Sequence, residues 1–78
     1  EKSDINEEIV RLKAHINRMN ELLSQDKAMG RELEFILQEM NREVNTIGSK
    51  SSQVEISSLV VEMKTVIEKM WEQVRNVE

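Results

Sequence analysis

The sequence predicts an all-α protein of three long helices, and three observations support this prediction. Apolar residues recur at alternating intervals of three and four in three separate stretches, the spacing that puts side chains on one face of an α-helix. The 78 residues contain no proline, and the two glycines lie close to the expected helix ends. A third of the residues are charged, with one phenylalanine and one tryptophan, a composition that favours helices over sheets.

The first helix is expected over residues 4–24. Asp4 is suited to the N-cap, and Glu7 places a carboxylate in the first turn, where the helix dipole favours it. The polar run that starts at Ser24 ends the helix. Its apolar seam follows the a/d spacing of a helix packed lengthwise on another helix, with the members Ile5, Ile9, Leu12, Ile16, Met19 and Leu23.

The second helix is expected over residues 30–47. Gly48 is the predicted C-cap, because glycine accepts the left-handed conformation in which helices commonly end. The residues from Ser52 to Glu55 then match a capping box, which satisfies the first backbone N–H groups of the next helix. The seam of the second helix comprises Leu33, Leu37, Met40, Val44 and Ile47.

The third helix, expected over residues 52–77, is the longest and has the widest apolar stripe. Leu59, Val66 and Trp71 widen a seam made of Ile56, Val60, Met63, Ile67, Met70, Val74 and Val77. At about 1.5 Å per residue the helix extends further than either partner. We therefore expect apolar surface that the chain cannot cover by itself and that is buried in an oligomer or against another domain.

The three helices form a single domain, residues 1–78, in this prediction. Short connectors favour antiparallel neighbours, so the expected architecture is an up-down-up bundle or an opened, oligomer-packed variant of it. The apolar seams satisfy both arrangements. Because the chain starts at Glu1 rather than at a methionine, we expect it to be a piece of a longer protein.

The composition excludes several classes of site. Without cysteine there is no disulfide, thiolate metal site or cysteine nucleophile. No apolar run reaches the roughly 18 to 20 residues of a membrane span, so a cytoplasmic protein is expected. The net charge of −4 argues against non-specific binding of nucleic acid by the domain as a whole, while leaving room for a local basic strip.

Carboxylates cluster on one flank of the second helix. Glu32, Glu39 and Glu43 lie there beside Arg42 when the helix is read at about 100° per residue. A solvated face with local ion pairs is the favoured interpretation of this spacing. The alternative is a site for a divalent cation, because hard cations bind carboxylate oxygens.

His15, the single histidine, shares a flank of the first helix with Arg11 and Arg18. A packed boundary residue is the favoured interpretation. The alternative is a functional group: the arginines would then hold phosphates while His15 exchanges protons near neutral pH.

Phe35 and the segment after the second helix can each be interpreted as structural or as functional. Phe35 points away from the seam among charged residues, which favours a protein contact over a stacking platform for a base. The run from Gly48 to Ser52 lacks the upstream glycine of a nucleotide-binding P-loop, so that interpretation is rejected. It is either a C-cap followed by an N-cap or a phosphate cradle that includes Ser49 and Lys50.

Residues 35–52, FILQEMNREVNTIGSKSS, and residues 55–78, EISSLVVEMKTVIEKMWEQVRNVE, resemble the C-terminal domain of the bacterial YicC/YloC family. The opening EKSDINEEIVRLKAHI extends the resemblance over essentially the whole chain. Members are described as endoribonucleases, so the resemblance implies a cytoplasmic, metal-dependent enzyme that cleaves RNA as a multimer, expected to be a hexamer. It also implies a larger N-terminal domain.

The family motif is retained at Gln38, Glu39, Asn41, Arg42, Glu43, Asn45, Ser49 and Lys50. Two positions depart from the family pattern. Glu34 stands where aspartate is more usual, and Trp71 stands where arginine is usual, which predicts a contact peculiar to this chain.

These residues lead to a hypothesis about roles. Glu39 and Glu43 would bind Mg²⁺ or Mn²⁺ and act in catalysis, with His15 as a proton-transfer group. The expected partners are RNA, further copies of the chain and the N-terminal domain, with neither DNA nor membrane. The predicted RNA contacts are Arg11, Arg18, Arg42, Ser49 and Lys50, and the predicted interface residues are Phe35 and Trp71.

The rival hypothesis is a non-catalytic module for oligomerisation or RNA clamping, with the chemistry in the N-terminal domain. The wide stripe of the third helix, the outlying Phe35 and the acidic net charge fit this alternative.

Overall fold

A computed structural model describes residues 4–24 and 30–77, with side chains as far as residue 75. It contains three helices, α1 (Asn6–Leu23), α2 (Gly30–Lys50) and α3 (Val54–Val77), and no strand within those ranges. The all-α prediction is confirmed. Within the same ranges, none of the helices combines the length and the apolarity that crossing a membrane requires.

Short polar side chains accept hydrogen bonds from backbone N–H groups at the starts of α1 and α3. The carboxylate of Asp4 accepts one from the N–H of Asn6 at 3.0 Å, but the N-cap of α1 is Ile5, one residue later than predicted, and it has no side-chain capping bond. Before α3, the backbone N–H of Gln53 donates to the hydroxyl of Ser51 at 3.3 Å. This acceptor lies one residue earlier than Ser52, where the capping box was expected.

Gly48 lies inside α2, and the prediction that it ends this helix is wrong. In the described part of the chain no glycine has a positive φ, and α2 continues to Lys50. A Cβ atom added to Gly48 would lie 3.4 Å from Cγ1 of Val60, an ordinary van der Waals distance, so α3 packs directly against this turn of α2.

The helices are antiparallel, with α2 in the middle. Arg11 on α1 pairs with Glu43 on α2, and Arg18, further along α1, pairs with Glu32, nearer the start of α2. Among the described residues no Cα atom of α1 comes within 8 Å of a Cα atom of α3. The bundle is therefore open along the side where α1 and α3 would meet, and its extents are 41 × 20 × 15 Å.

The core is centred on α2, whose predicted seam is entirely buried. On α1 the prediction is partly wrong, because Leu22 is buried while Leu23 is exposed. The face of α1 that packs on α2 carries Glu8, Leu12, Met19 and Leu22, and Leu23 lies about 100° further round the helix, outside that face. On α3, Ile67 and Val74 are buried, and other seam residues lie half-buried against the core.

An apolar groove runs along the open side between α1 and α3. One part is a cleft of about 260 Å³ lined only by aliphatic and methionine side chains, among them Ile9, Ile47 and Leu59. A second part passes Ile16 and Val66. Leu59 and Val66 remain 56% and 54% exposed, so this chain leaves part of its apolar stripe uncovered, as the sequence predicts.

Candidate functional site

The candidate site lies where α1 packs against α2, on the flank of α1 away from the apolar groove. Glu39 and Glu43 are one turn apart on α2, and His15 faces them from α1. One ligand atom from each of the three residues lies within 4.8 Å of the others. The residues predicted separately on two helices thus form one cluster.

The burial of the cluster increases from Glu39 to Glu43. Glu39 and His15 are half-buried, and Glu43 is only 5% exposed. A buried carboxylate needs a cation or several hydrogen bonds to offset its loss of hydration. Arg11 provides the cation, since its Nε donates to Oε2 of Glu43 at 3.0 Å. This hydrogen bond raises the pKa of the Arg11 guanidinium.

Glu39 forms an ion pair with a different arginine, Arg42. Nη2 of Arg42 donates to Oε2 of Glu39 at 3.2 Å, from the next turn of α2. Arg42 is exposed, so this pair lies at the solvent side of the cluster. Exposed pairs of this kind contribute little to stability, about 0.2 to 1 kcal/mol. Most of the Arg42 side chain therefore remains accessible to solvent beside Glu39.

Glu8 is a second buried carboxylate, and its burial was not predicted. It is 3% exposed, and its Oε2 accepts a hydrogen bond from Nζ of Lys50 at 2.8 Å. That bond lowers the pKa of the Glu8 carboxyl, although burial opposes the shift. Nη2 of Arg11 is 3.4 Å from the same oxygen, so Arg11 connects Glu8 to Glu43. The one available signal was its helical angle, close to that of Leu12.

An imidazole nitrogen and two carboxylate oxygens form a donor set for a divalent cation. Carboxylate oxygens suit Mg²⁺ and Mn²⁺, and imidazole suits the transition metals, so Mn²⁺ fits all three groups. The ligands would come from two packed helices, which limits their motion. Three protein ligands would leave other coordination positions for water or a phosphate oxygen.

The other predicted basic contacts are paired with carboxylates in this structure. Arg18 donates to Glu32 at 2.8 Å and to Glu21 at 3.2 Å, and the first of these bonds is the main cause of its raised pKa. Lys50 bonds to Glu8 as described above. Their contacts with RNA, like those of Arg11 and Arg42, stay predictions.

The predicted phosphate cradle does not form as expected. Ser49 and Lys50 belong to the last turn of α2 rather than to a loop before α3. The hydroxyl of Ser49 donates to the backbone carbonyl of Thr46 at 3.1 Å. The helix continues past Gly48, so its last backbone groups bond within α2, as in the 3.1 Å bond from Ser51 N–H to the carbonyl of Ile47.

The two predicted interface residues differ in their surroundings. Phe35 is exposed, at 59%. Trp71 is half-buried against the core, and the guanidinium of Arg75 lies 5.4 Å from its ring centroid, a cation–π distance. Trp71 therefore has an internal packing role, and the contact of either residue with another chain stays a prediction.

Comparison with known proteins matches the whole chain to one family. The family model described as "Endoribonuclease YicC-like, C-terminal" covers residues 1–78. A protein of Clostridioides difficile named "Probable endoribonuclease YicC" is 53% identical over 78 residues, which is 100% of this chain and 27% of that protein. A Haemophilus influenzae protein of the same name is 44% identical over 75 residues, 96% of this chain and 26% of that protein. No solved structure matches the chain.

Proposed function

The chain belongs to the YicC-like endoribonuclease family, as its C-terminal domain, and we propose that it carries a metal-dependent site for RNA cleavage. It spans about a quarter of the length of the curated relatives it matches, so the proposal concerns the larger protein that contains this domain. The observation that supports it is the convergence of His15, Glu39 and Glu43, with ligand atoms within 4.8 Å of one another.

In this proposal, Glu39, Glu43 and His15 hold Mg²⁺ or Mn²⁺. Such an ion supplies charge stabilisation at the phosphate and a water of lowered pKa as nucleophile. Arg42, beside Glu39, binds a phosphate oxygen next to the scissile bond. If Glu39 and Glu43 alone hold the ion, His15 would instead be the proton-transfer group predicted from the sequence.

The remaining basic residues hold the RNA backbone around the cleavage point. Arg11, Arg18 and Lys50 lie along the same flank of the α1–α2 pair, and Ser49 lies in the last turn of α2. Their carboxylate partners keep the surface nearly neutral, which limits non-specific binding. We further propose that the full-length protein acts in the cytoplasm as a homo-oligomer, expected to be a hexamer, together with an N-terminal domain.

The experiment that tests this function measures internal cuts in a structured RNA labelled at its 5′ end. The full-length protein is assayed with Mn²⁺, with Mg²⁺ and with a chelator. We expect cleavage that depends on metal and that falls at least 100-fold in a Glu39→Gln, Glu43→Gln double variant, because both ligands lose their charge. Full activity in the double variant would refute the proposal. Glu34→Gln on the same helix is the matched control, with activity unchanged.

The apolar groove favours a second candidate function. A domain that leaves Leu59 and Val66 more than half exposed resembles a module for oligomerisation or RNA clamping, with the chemistry in the N-terminal domain. Sedimentation of the isolated chain separates the alternatives in part, because this role requires self-association. A monomer that keeps its helical fold at high concentration would count against the second candidate.

A further inference from the structure

Arg11 is a half-exposed cation that contacts two buried carboxylates. Its side chain is 49% exposed, whereas those of Glu8 and Glu43 are 4% and 7% exposed. The guanidinium is within 3.0 Å of Glu43, 3.4 Å of Glu8 and 3.9 Å of the exposed Glu7. Small rotations of the Arg11 side chain therefore change which of the two buried carboxylates it neutralises.

The contact between Arg11 and Glu43 conflicts with the proposed metal site. Glu43 has one carboxylate, and a divalent cation bound to it would lie close to the positive guanidinium. Without an ion, the same carboxylate needs Arg11, because a buried unpaired charge is strongly disfavoured. Arg11 thus occupies in this structure the electrostatic position that a metal ion would take.

Glu8 provides a second acceptor for the guanidinium. Its Oε1 is buried and has no hydrogen-bond partner among the described residues, while Oε2 is held by Lys50 at 2.8 Å. Buried carboxylate oxygens are usually hydrogen-bonded, so the unpartnered atom is a vacant acceptor. A guanidinium has five N–H donors, and Nη2 of Arg11 is already beside Glu8.

We propose that Arg11 is a positioning residue that neutralises Glu43 in the metal-free protein and turns to Glu8 when a divalent cation binds. The proposal rests on the metal site inferred above. Glu8 receives the displaced guanidinium, and Lys50 holds the Glu8 side chain in place. Arg11 itself does not bind the ion. The pair of Glu8 and Arg11 therefore tunes metal affinity from outside the ligand set.

The test measures the affinity of the metal-free chain for Mn²⁺ alone, by calorimetric titration and by the Mn²⁺ paramagnetic resonance signal. In Arg11→Gln the competing cation is gone, so we expect Mn²⁺ to bind about tenfold more tightly. If Arg11 merely held Glu43 in a productive orientation, the same substitution would weaken binding. The sign of the change therefore separates exchange from a purely structural role.

Glu8→Gln is the second variant in this Mn²⁺-binding test. It keeps the size of the side chain but removes the charge that receives Arg11, so Mn²⁺ should bind about tenfold more weakly. In the Arg11→Gln background the same substitution should have almost no effect, because there is no guanidinium to receive. Glu7→Gln, which removes a charge from the neighbouring exposed position, is the matched control, with a change below about twofold.

Three results would overturn the exchange. Weaker or unchanged binding in Arg11→Gln contradicts it, and this variant alone decides if Glu8→Gln does not fold. An equal loss from Glu8→Gln in both backgrounds contradicts it as well, since a general charge effect would then suffice. Absence of Mn²⁺ binding to the unsubstituted chain refutes the metal site itself, so that failure is distinct from the other two.

Discussion

At the scale of single residues, the main feature is two buried glutamates in a small helical domain. Glu8 and Glu43 are each less than a tenth exposed and are paired with Lys50 and Arg11. Such pairs add little net stability, but removing one partner leaves an uncompensated charge. The pairs connect the second half of α2 to the first half of α1 and so fix the register of the two helices.

The Glu8–Lys50 pair predicts a loss of stability in acid. The pKa of Glu8 is lower in the folded state than in the unfolded state, so the unfolded chain binds more protons when the pH falls. The contribution of the pair is complete above about pH 5 and is lost as the pH falls through the folded-state pKa. Urea unfolding at a series of pH values should show this decline, with a smaller slope in Glu8→Gln. Equal slopes in Glu8→Gln and in the exposed control Glu7→Gln would contradict the prediction.

Truncation of Leu37 and truncation of Phe35, both on α2, should change the free energy of unfolding by very different amounts. Leu37 has no exposed surface, so Leu37→Ala should lower the free energy of unfolding by about 2 to 5 kcal/mol through lost burial and a residual cavity. Phe35 is exposed, and Phe35→Ala should change the free energy of unfolding by no more than about 0.5 kcal/mol. Chemical denaturation measures both. Similar losses would show that Phe35 is covered in solution, as its predicted interface role requires.

Sequence reasoning identified His15, Glu39 and Glu43 but not their convergence. Helical spacing gives the angle of each side chain about its own axis, and only the packing of α1 on α2 brings them within 4.8 Å. Glu8 was missed for the same reason, because its partner Lys50 is 42 residues away. A single glutamate in a polar stretch is normally exposed, so its helical angle near Leu12 was the one local sign of burial.

At the scale of the helices, how well the buried residues were predicted depends on where each helix lies in the fold. All five predicted seam residues of α2 are buried because this helix has a partner on both sides, and Ile36 is buried as well although it was not assigned to the seam. α1 and α3 each pack on α2 alone. Their outer seam residues, such as Ile16 and Ile56, line the apolar groove instead of the core. An apolar spacing cannot distinguish a residue that faces a partner from one that faces a groove.

Substitutions at Gly48 test how α3 packs against the last turns of α2. Gly48 has a helical conformation, and a Cβ atom there would make an ordinary contact of 3.4 Å with Val60. Gly48→Ala should therefore raise the free energy of unfolding by about 0.5 to 1 kcal/mol, from the higher helix propensity of alanine. A bulkier Gly48→Leu should lower it by forcing α3 away. Thermal unfolding of both variants measures the effect. Destabilisation by alanine would instead indicate the left-handed cap predicted from sequence.

At the scale of the whole molecule, α1 separates two surfaces of different chemistry. One flank carries Arg11 and His15 towards the carboxylates of α2, and the other borders the apolar groove through Ile9 and Ile16. The all-α class and the uncovered stripe were predictable from composition and spacing. The open arrangement was not, because the same seams fit a closed bundle. A second molecule that occupied the groove would leave the polar cluster accessible, so self-association through the groove is compatible with the proposed RNA-cleaving site.

The groove predicts that stability depends on protein concentration. If copies of the chain cover one another through the groove, the temperature of unfolding rises with concentration, because association stabilises only the folded state. Leu59→Gln or Val66→Thr should abolish that rise. In the monomer both side chains are more than half exposed, so the unfolding temperature at low concentration should change little.

Val61→Thr is the matched control for this prediction. Val61 is 65% exposed on the same helix, but it lies beside Lys64 and Thr65, outside the residues that line the groove. The concentration dependence should persist in this variant, because the substitution removes a similar apolar area from a different face of α3. Sedimentation of the three variants should give the same order, with self-association retained in Val61→Thr alone. Equal behaviour of Val61→Thr and Val66→Thr would place the contact elsewhere, and an unfolding temperature independent of concentration in the unsubstituted chain would exclude self-association through the groove.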